Sequence, residues 1–394
     1  MNIRRYILSA SLPVLAIAMP ISALAQVEIT DAQTTGINTS TSGNNAAPSD
    51  VTITATGSVV VTTGAAVTVD SDNAVINDGS ITSLDADDTT GILISGNRTG
   101  TITNNNLISL TETVPTDDLA LGADIAVGSG RVGILISGAS QFIGNIENSS
   151  TGQIIISGQD SSGIKLAALS SVTGNINQNG RITVFGERST GLDIIGDVIG
   201  NLAVNGAIVA TGEDASAIKV SGDVTGSLKV TSLLSGTGYL TATRIQVGTR
   251  PTTAGLILLN DTGSVRQAGS VVQINGNIGQ GIHFAELRSD TDVLISVASV
   301  AMIGSAPAIL IDGNGTPIAI GRVGQITDPN NADFDADLQY AFVNQGTLLA
   351  DGLLDDISAT TFSLRDATLE GGINNTRTMR ATVYRSGIDP AATA

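Results

Sequence analysis

Cysteine and tryptophan are missing from this 394-residue chain, histidine occurs once, and aromatic residues make up only 3% of it. Each absence removes a class of chemistry. Without cysteine there is no disulfide framework, no thiolate nucleophile and no soft zinc ligand. With His283 as the single histidine, a Ser-His-Asp arrangement is nearly excluded and a zinc site lacks a second imidazole. The scarcity of Trp, Tyr and Phe removes the platforms on which polysaccharide enzymes hold sugar. Basic residues are also few: 18 Lys and Arg stand against 36 Asp and Glu, for a net charge of −18. A surface of that sign disfavours nucleic acid and anionic lipid headgroups; its simplest role is to keep a β-rich surface soluble.

Long apolar runs are confined to the start of the chain. Arg4 and Arg5 form a positive n-region, Tyr6 to Ile21 is apolar with Pro13 and Pro20 breaking it, and Ala23-Leu24-Ala25 is an A-x-A cleavage site. Residues 1–25 are therefore expected to be a secretory signal peptide, with the mature chain beginning at Gln26. Losing Arg4 and Arg5 takes the net charge from −18 to −20. No later stretch suits a transmembrane helix. An exported chain without cysteine must draw its stability from packing alone. Residues 26–50, rich in Thr, Ser, Asn and Gly, read as a flexible lead-in.

What the chain does have is 46 glycines and many short Val/Ile/Leu segments. From Val51 onward apolar and polar residues alternate with period two, which is a strand signal. The stretch from Gly163 to Ser216 repeats itself. Ile164 matches Leu192, Leu166 matches Ile194, Gly174-Asn175-Ile176 matches Gly200-Asn201-Leu202, and Asn179-Gly180 matches Asn205-Gly206. A small–apolar–x–apolar segment starts at Ala66, Gly91, Gly133, Gly163, Gly191, Ala217, Gly255, Gly281 and Ala308, mostly 25–30 residues apart. Its outer positions are apolar throughout (Ile92 and Ile94, Ile164 and Leu166, Ile282 and Phe284). The middle position is mixed (Leu93, Lys165, Asp193, Lys219, His283). On a strand the outer pair faces a core and the middle residue faces water. A second strand follows at Gly144-Asn145-Ile146 and its equivalents, and a third at Gly152-Gln153-Ile154, Gly180-Arg181-Ile182 and Gly206-Ala207-Ile208.

A period of this length with three strands per turn predicts an all-β solenoid, a right-handed single-stranded parallel β-helix. About 11–12 coils should span residues 51–385, roughly 50–60 Å long at ~4.8 Å per coil. Loop inserts are expected at about 112–130, 240–252 and 328–337, and a short tail at 386–394.

Candidate sites are few, and no catalytic, cofactor-binding or metal-binding residue is assigned. Asp333-Asp335-Asp337 has the 1-3-5 spacing of a calcium loop, but Leu338 stands where a glycine is needed and Asn344 where a bidentate Glu belongs. This cluster, like Asp70-Asp72, Asp85-Asp87-Asp88 and Asp117-Asp118, reads as solvated loop. Asn145, Asn175 and Asn201 read as a coil-to-coil ladder, and Lys165, Asp193 and Lys219 as a cross-strand charge match. His283 is placed on the outward face.

The signal, the Gly-Asn-(Ile/Leu)-x-x-Asn-Gly-x-Ile coils at Gly174 to Ile182 and Gly200 to Ile208, and the acidic cysteine-free composition resemble the passenger regions of bacterial autotransporters. The resemblance covers about residues 26–385 and rests on repeat style. It implies export across the inner membrane and display on, or release from, the outer membrane by a C-terminal β-barrel. No barrel pattern follows the repeats, so a separate or missing barrel is the expectation. The Asn-Pro-Asn-Gly motif of two-partner-secreted haemagglutinins does not occur. The expected function is an exported, non-catalytic surface or secreted protein. It would serve in adhesion or as a rod-like display scaffold, toward an unknown surface or extracellular ligand, and without cofactors. The alternative is a secreted polysaccharide-active β-helix enzyme, a lyase or hydrolase, with Asp193, Lys165 and Lys219 as its nearest candidates.

Overall fold

Backbone pairing repeats from coil to coil throughout the described residues. The computed structural model describes residues 26–113, 126–238, 267–289 and 291–384. The signal segment, most of the 112–130 insert, the 240–252 insert and the tail lie outside these residues, as do Leu256 and Leu258. Among the described residues three long parallel sheets form, of 10, 11 and 11 strands. We call them sheet I (built on segments such as Ser162–Leu166 and Thr190–Ile194), sheet II (Ile176–Gln178, Leu202–Val204) and sheet III (Arg181–Phe185, Ile208–Thr211). The chain visits II, III and I in turn and then advances one rung. This is the parallel β-helix that the repeat predicts, with eleven rungs along sheets II and III.

The register explains the periodicity. Ile134, Ile164, Leu192 and Ile218 stack directly on one another along sheet I, as do Ile136, Leu166, Ile194 and Val220. All are buried. Each rung thus places its apolar side chains on like side chains above and below, in one continuous core running the length of the stack. The small residue that opens each sheet I segment has a steric cause. A Cβ at Gly191 would lie 2.3 Å from Cγ2 of Ile208 on sheet III and 2.6 Å from the Ala217 carbonyl oxygen.

The structure departs from the sequence reading in four places. Residues 26–50 are the first coil rather than a flexible lead-in. Gln26–Ile29 pairs with Asp50–Ile53, Ala32–Gln33 with Ser58–Val59, and Ile37–Asn38 with Val67–Thr68. Backbone hydrogen bonding to the next rung orders a segment whose side chains carry little apolar signal. Second, the coils are not limited to three strands. A short fourth sheet of Arg98–Thr99, Gln141–Ile143, Ser171–Thr173 and Asp197–Ile199 fills the passage from sheet I to sheet II. It buries Phe142, Val172 and Val198. Third, Gly281–Phe284 is not a sheet I segment. Ile282 pairs with Leu228 and Phe342 on sheet II, and Val272–Ile274 holds the sheet I rung above Lys219. On sheet II the inward Ile146, Ile176, Leu202 and Leu228 directly follow Asn145, Asn175, Asn201 and Ser227, whereas Ile282 directly follows Gly281, so this one strand imitates the glycine–apolar–x–apolar start of sheet I. Fourth, an antiparallel hairpin, Glu286–Arg288 with Leu294–Val297, interrupts the stack where no insert was expected. The expected loop at 328–337 is found: residues 322–340 leave the stack, with a 3-10 turn at Ala336–Leu338.

No helix among the described residues is long and apolar enough to cross a membrane.

Candidate functional site

The corner between sheet III and sheet I recurs with the same geometry in three successive coils. Gly158, Gly186 and Gly212 have φ of 149°, 138° and 150°, a region open to glycine. A Cβ at Gly212 would also sit 2.0 Å from the Gly186 carbonyl oxygen of the rung before. Two residues on, Asp160, Arg188 and Asp214 take the left-handed conformation, with φ of 51°, 54° and 54°. This turn throws their side chains over the edge of sheet I. Ser189 then ties the corner down by donating from Oγ to the Gly158 carbonyl at 2.5 Å.

Beside this edge runs the outward row of sheet I, where Lys165, Asp193 and Lys219 lie opposite one another on consecutive strands. The two rows make a lattice of alternating sign, minus–plus–minus at the corner and plus–minus–plus on the sheet. They enclose a cleft of about 440 Å³, which Ser162, Thr190, Ser216 and Gln273 also line. Sequence reasoning placed the Lys-Asp-Lys row correctly. It missed the corner row, whose only signal was the repeated Gly-x-charged-(Ser/Ala)-(Ser/Thr) at 158–162, 186–190 and 212–216.

Most of these charges are engaged with each other. Arg188 grips Asp160 with two bonds, from Nε at 2.8 Å and from Nη2 at 2.7 Å. That donation holds the Asp160 carboxyl below the usual carboxylate range against the opposing pull of partial burial, and it raises the Arg188 pKa. Lys165 Nζ lies 3.3 Å from Oδ2 of Asp193. Asp160 is therefore an anion at neutral pH and not a proton donor, which general acid catalysis would require. Lys219 has no carboxylate within ion-pair distance among the described residues, and it is the one cation of the lattice left to meet a ligand.

The remaining expected residues serve the coil. Asn145 accepts from the backbone N–H of Asn175 at 2.8 Å, Asn175 from that of Asn201 at 2.9 Å, and Asn201 from that of Ser227 at 2.9 Å. The Asn ladder is real, and it works by side chain to backbone. The acidic clusters act as corner staples. Asp70 accepts from Ser40 N and Oγ, Asp72 from Thr99 N, Asp85 from Thr113 N and Oγ1, and Asp335 from Asp337 N. Among the described residues no three His, Cys, Asp or Glu side chains come together as a metal site; Asp117-Asp118 lies outside them.

His283 faces outward, on sheet II, between Lys229 and Val343. It is half-buried, and its Nε2 lies 3.0 Å from Oε1 of Gln345. Burial pushes its pKa below the ordinary value, with the Gln345 contact opposing. Nearby, Glu286, Arg288, Gln345, Thr376 and Arg377 line a second cleft of about 400 Å³. There Glu286 accepts from both arginines.

Two buried polar groups escaped sequence reasoning. Arg131 is 1% exposed. It donates to the Ala86 and Ser157 carbonyls and pairs with Asp87 at 3.1 Å and Glu112 at 3.2 Å. Glu112 in turn accepts from the N–H groups of Val127 and Gly128, so this clasp ties together the two feet of the 112–130 insert. A second amide ladder runs inside the core: Asn77 to Asn104 at 2.7 Å, Asn104 to Asn148 at 2.7 Å, and Asn148 to Gln178 at 2.8 Å. Its signal was present. Asn104, Asn148 and Gln178 each follow an inward Ile by two residues, which puts them on the core side of a strand.

The chain matches no protein-family model, no curated protein and no solved structure.

Proposed function

We propose that this chain is an exported, non-catalytic β-helical protein of the surface or the extracellular space, similar to an autotransporter passenger. It would act as a stiff rod that spaces or presents a binding surface. The observation that carries this reading is the use made of the polar residues. Asn, Asp and Ser side chains at the corners hydrogen-bond the rung above or below, and most charges of the sheet I cleft are paired with each other. Such a design stiffens a stack and leaves little for chemistry. The hairpin at 286–297 and the loop at 322–340 are places where a partner would meet the rod. Protease shaving of intact cells should release the chain into the medium. Recovery from the periplasm alone would overturn surface display.

A second reading rests on the cleft itself. Three carboxylates, two lysines and an arginine around about 440 Å³ are the residue types that polysaccharide lyases and hydrolases use. Under this reading the chain would cleave one member of a polysaccharide panel, and alanine at Asp193, Lys165 or Lys219 would abolish the cleavage. No activity across the panel sinks it.

A further inference from the structure

The three sheets do not present the same outer surface. Sheet I carries the Lys-Asp-Lys row, and sheet II carries Glu28, Glu147 and Lys229 at outward positions. Sheet III is different. Over eight consecutive strands, from Ser58–Val60 to Ser299–Ile303, its outward positions hold Ser, Thr, Val, Leu, Ile, Ala, Gln and Phe, and one charge, Arg181. The central row passes from Val60 through Ile155 and Val209 to Ala301 with no charged member. Several large apolar side chains of the face stand in water: Val60 of the central row is 39% exposed, and Leu84, Phe185 and Leu233 of the flanking rows 58%, 38% and 41%.

We infer that this face docks a second copy of the same chain, face to face, as a dimer of rods. Three observations select that occupant. The chain carries a net charge of −18, so a second copy is repelled from most approaches, and an uncharged face is the one that two acidic copies can share. The area suffices. Eight strands at ~4.8 Å and about five residues at ~3.3 Å span roughly 600 Å² in plan, so two such faces remove about 1,200 Å² from water. That is the lower end of a specific, stable interface. Finally, both copies have the same rung spacing. The β-branched and small side chains of one face can therefore seat between the rungs of the other at the ~10 Å separation of packed sheets. An isologous contact of this kind closes on itself and stops at two chains.

The test is sedimentation velocity of the full secreted chain across the micromolar range, at low and at high salt. A dimer is expected, and it should tighten as salt rises because screening removes the repulsion between two acidic rods. Val209→Lys and Ile155→Lys place a charge in the centre of the face, where interfaces exclude it; each should weaken the dimer at least about tenfold. Their circular dichroism should stay unchanged, because both side chains point away from the core. The cysteine-free background gives a second readout. Ile155→Cys, in the fourth of the eight strands, should yield a disulfide-linked pair under mild oxidant, and Leu135→Cys on sheet I should not. The inference is overturned by a chain that stays monomeric throughout, by a dimer that dissolves in high salt, by one indifferent to both lysine variants, or by open-ended polymers in place of dimers.

Discussion

At the scale of single residues, two buried polar devices hold the stack. The Arg131 side chain is 2% exposed and that of Glu112 10%, so removing one partner leaves the other uncompensated. Arg131→Met should cost about 3–5 kcal/mol, read as a lower urea midpoint, with proteolysis rising first at residues 112–130. Asn104 is buried in the middle of the amide ladder, and its loss orphans groups on Asn77 and Asn148. Asn104→Ala should cost about 2 kcal/mol. Asn201→Ala, on the exposed ladder, should cost about 1 kcal/mol or less. Equal costs at the two positions would refute the ladder argument. Acid should weaken the same corners. The Thr113 backbone N–H and hydroxyl bound to Asp85, and Arg188 bound to Asp160, hold both carboxyls below their ordinary 3.8. Their folded pKa values are depressed, so their contribution is complete above about pH 4–5 and is lost as pH falls through the folded values. The melting temperature should drop below pH 4, and less so in Asp160→Asn.

At the scale of the element, strands were easy to read and corners were not. Ile164 and Leu166 declare a strand by alternation alone, whereas Gly281–Phe284 shows how far alternation goes. Its pattern names a strand and its inward faces, but the choice of sheet II over sheet I is made by the strands already laid down beneath it. The fourth sheet was invisible for a related reason. Phe142, Val172 and Val198 are the one inward residue of three-residue strands, and the outward Ile143 and Ile199 beside two of them blur the alternation, too short a signal for periodicity. His283 offers a check on the corrected placement. Burial lowers its pKa from 6.5. Below pH 6.5 the unfolded chain therefore takes up a proton before the folded one, and stability declines until the folded value is passed. His283→Gln should flatten the melting temperature between pH 7 and 5. An unchanged slope would mean that the ring is solvated after all.

At the scale of the whole molecule, the rod is a sum of rungs, each touching only its neighbours. Thr190 pairs with Ser216 and Leu192 with Ile218, so deleting residues 191–216 removes one coil and joins Thr190 to Ala217 in register. The shortened chain should keep its circular dichroism and lose about 5 Å of length by small-angle scattering. Deleting half as many residues should misfold it, since no register then places every inward row in the core. Survival of the half-coil deletion would argue against strict stacking.

What the amino-acid sequence determined by itself was the rung: short strands, inward rows of Val, Ile and Leu, small residues at corners, and a period that repeats them. These are local properties, set by side-chain alternation and by the steric needs of tight turns. Tertiary structure alone decided what lies next to what across a coil of chain. It brought Asp160 and Arg188 beside Lys165 and Asp193, buried Arg131 against Glu112, turned residues 26–50 into the first rung, and gathered the uncharged outward residues onto one face. Those contacts join positions some 20 to 60 residues apart, and the loops and rung lengths between them follow no fixed count. The spacing that reveals a repeat therefore cannot reveal its surface.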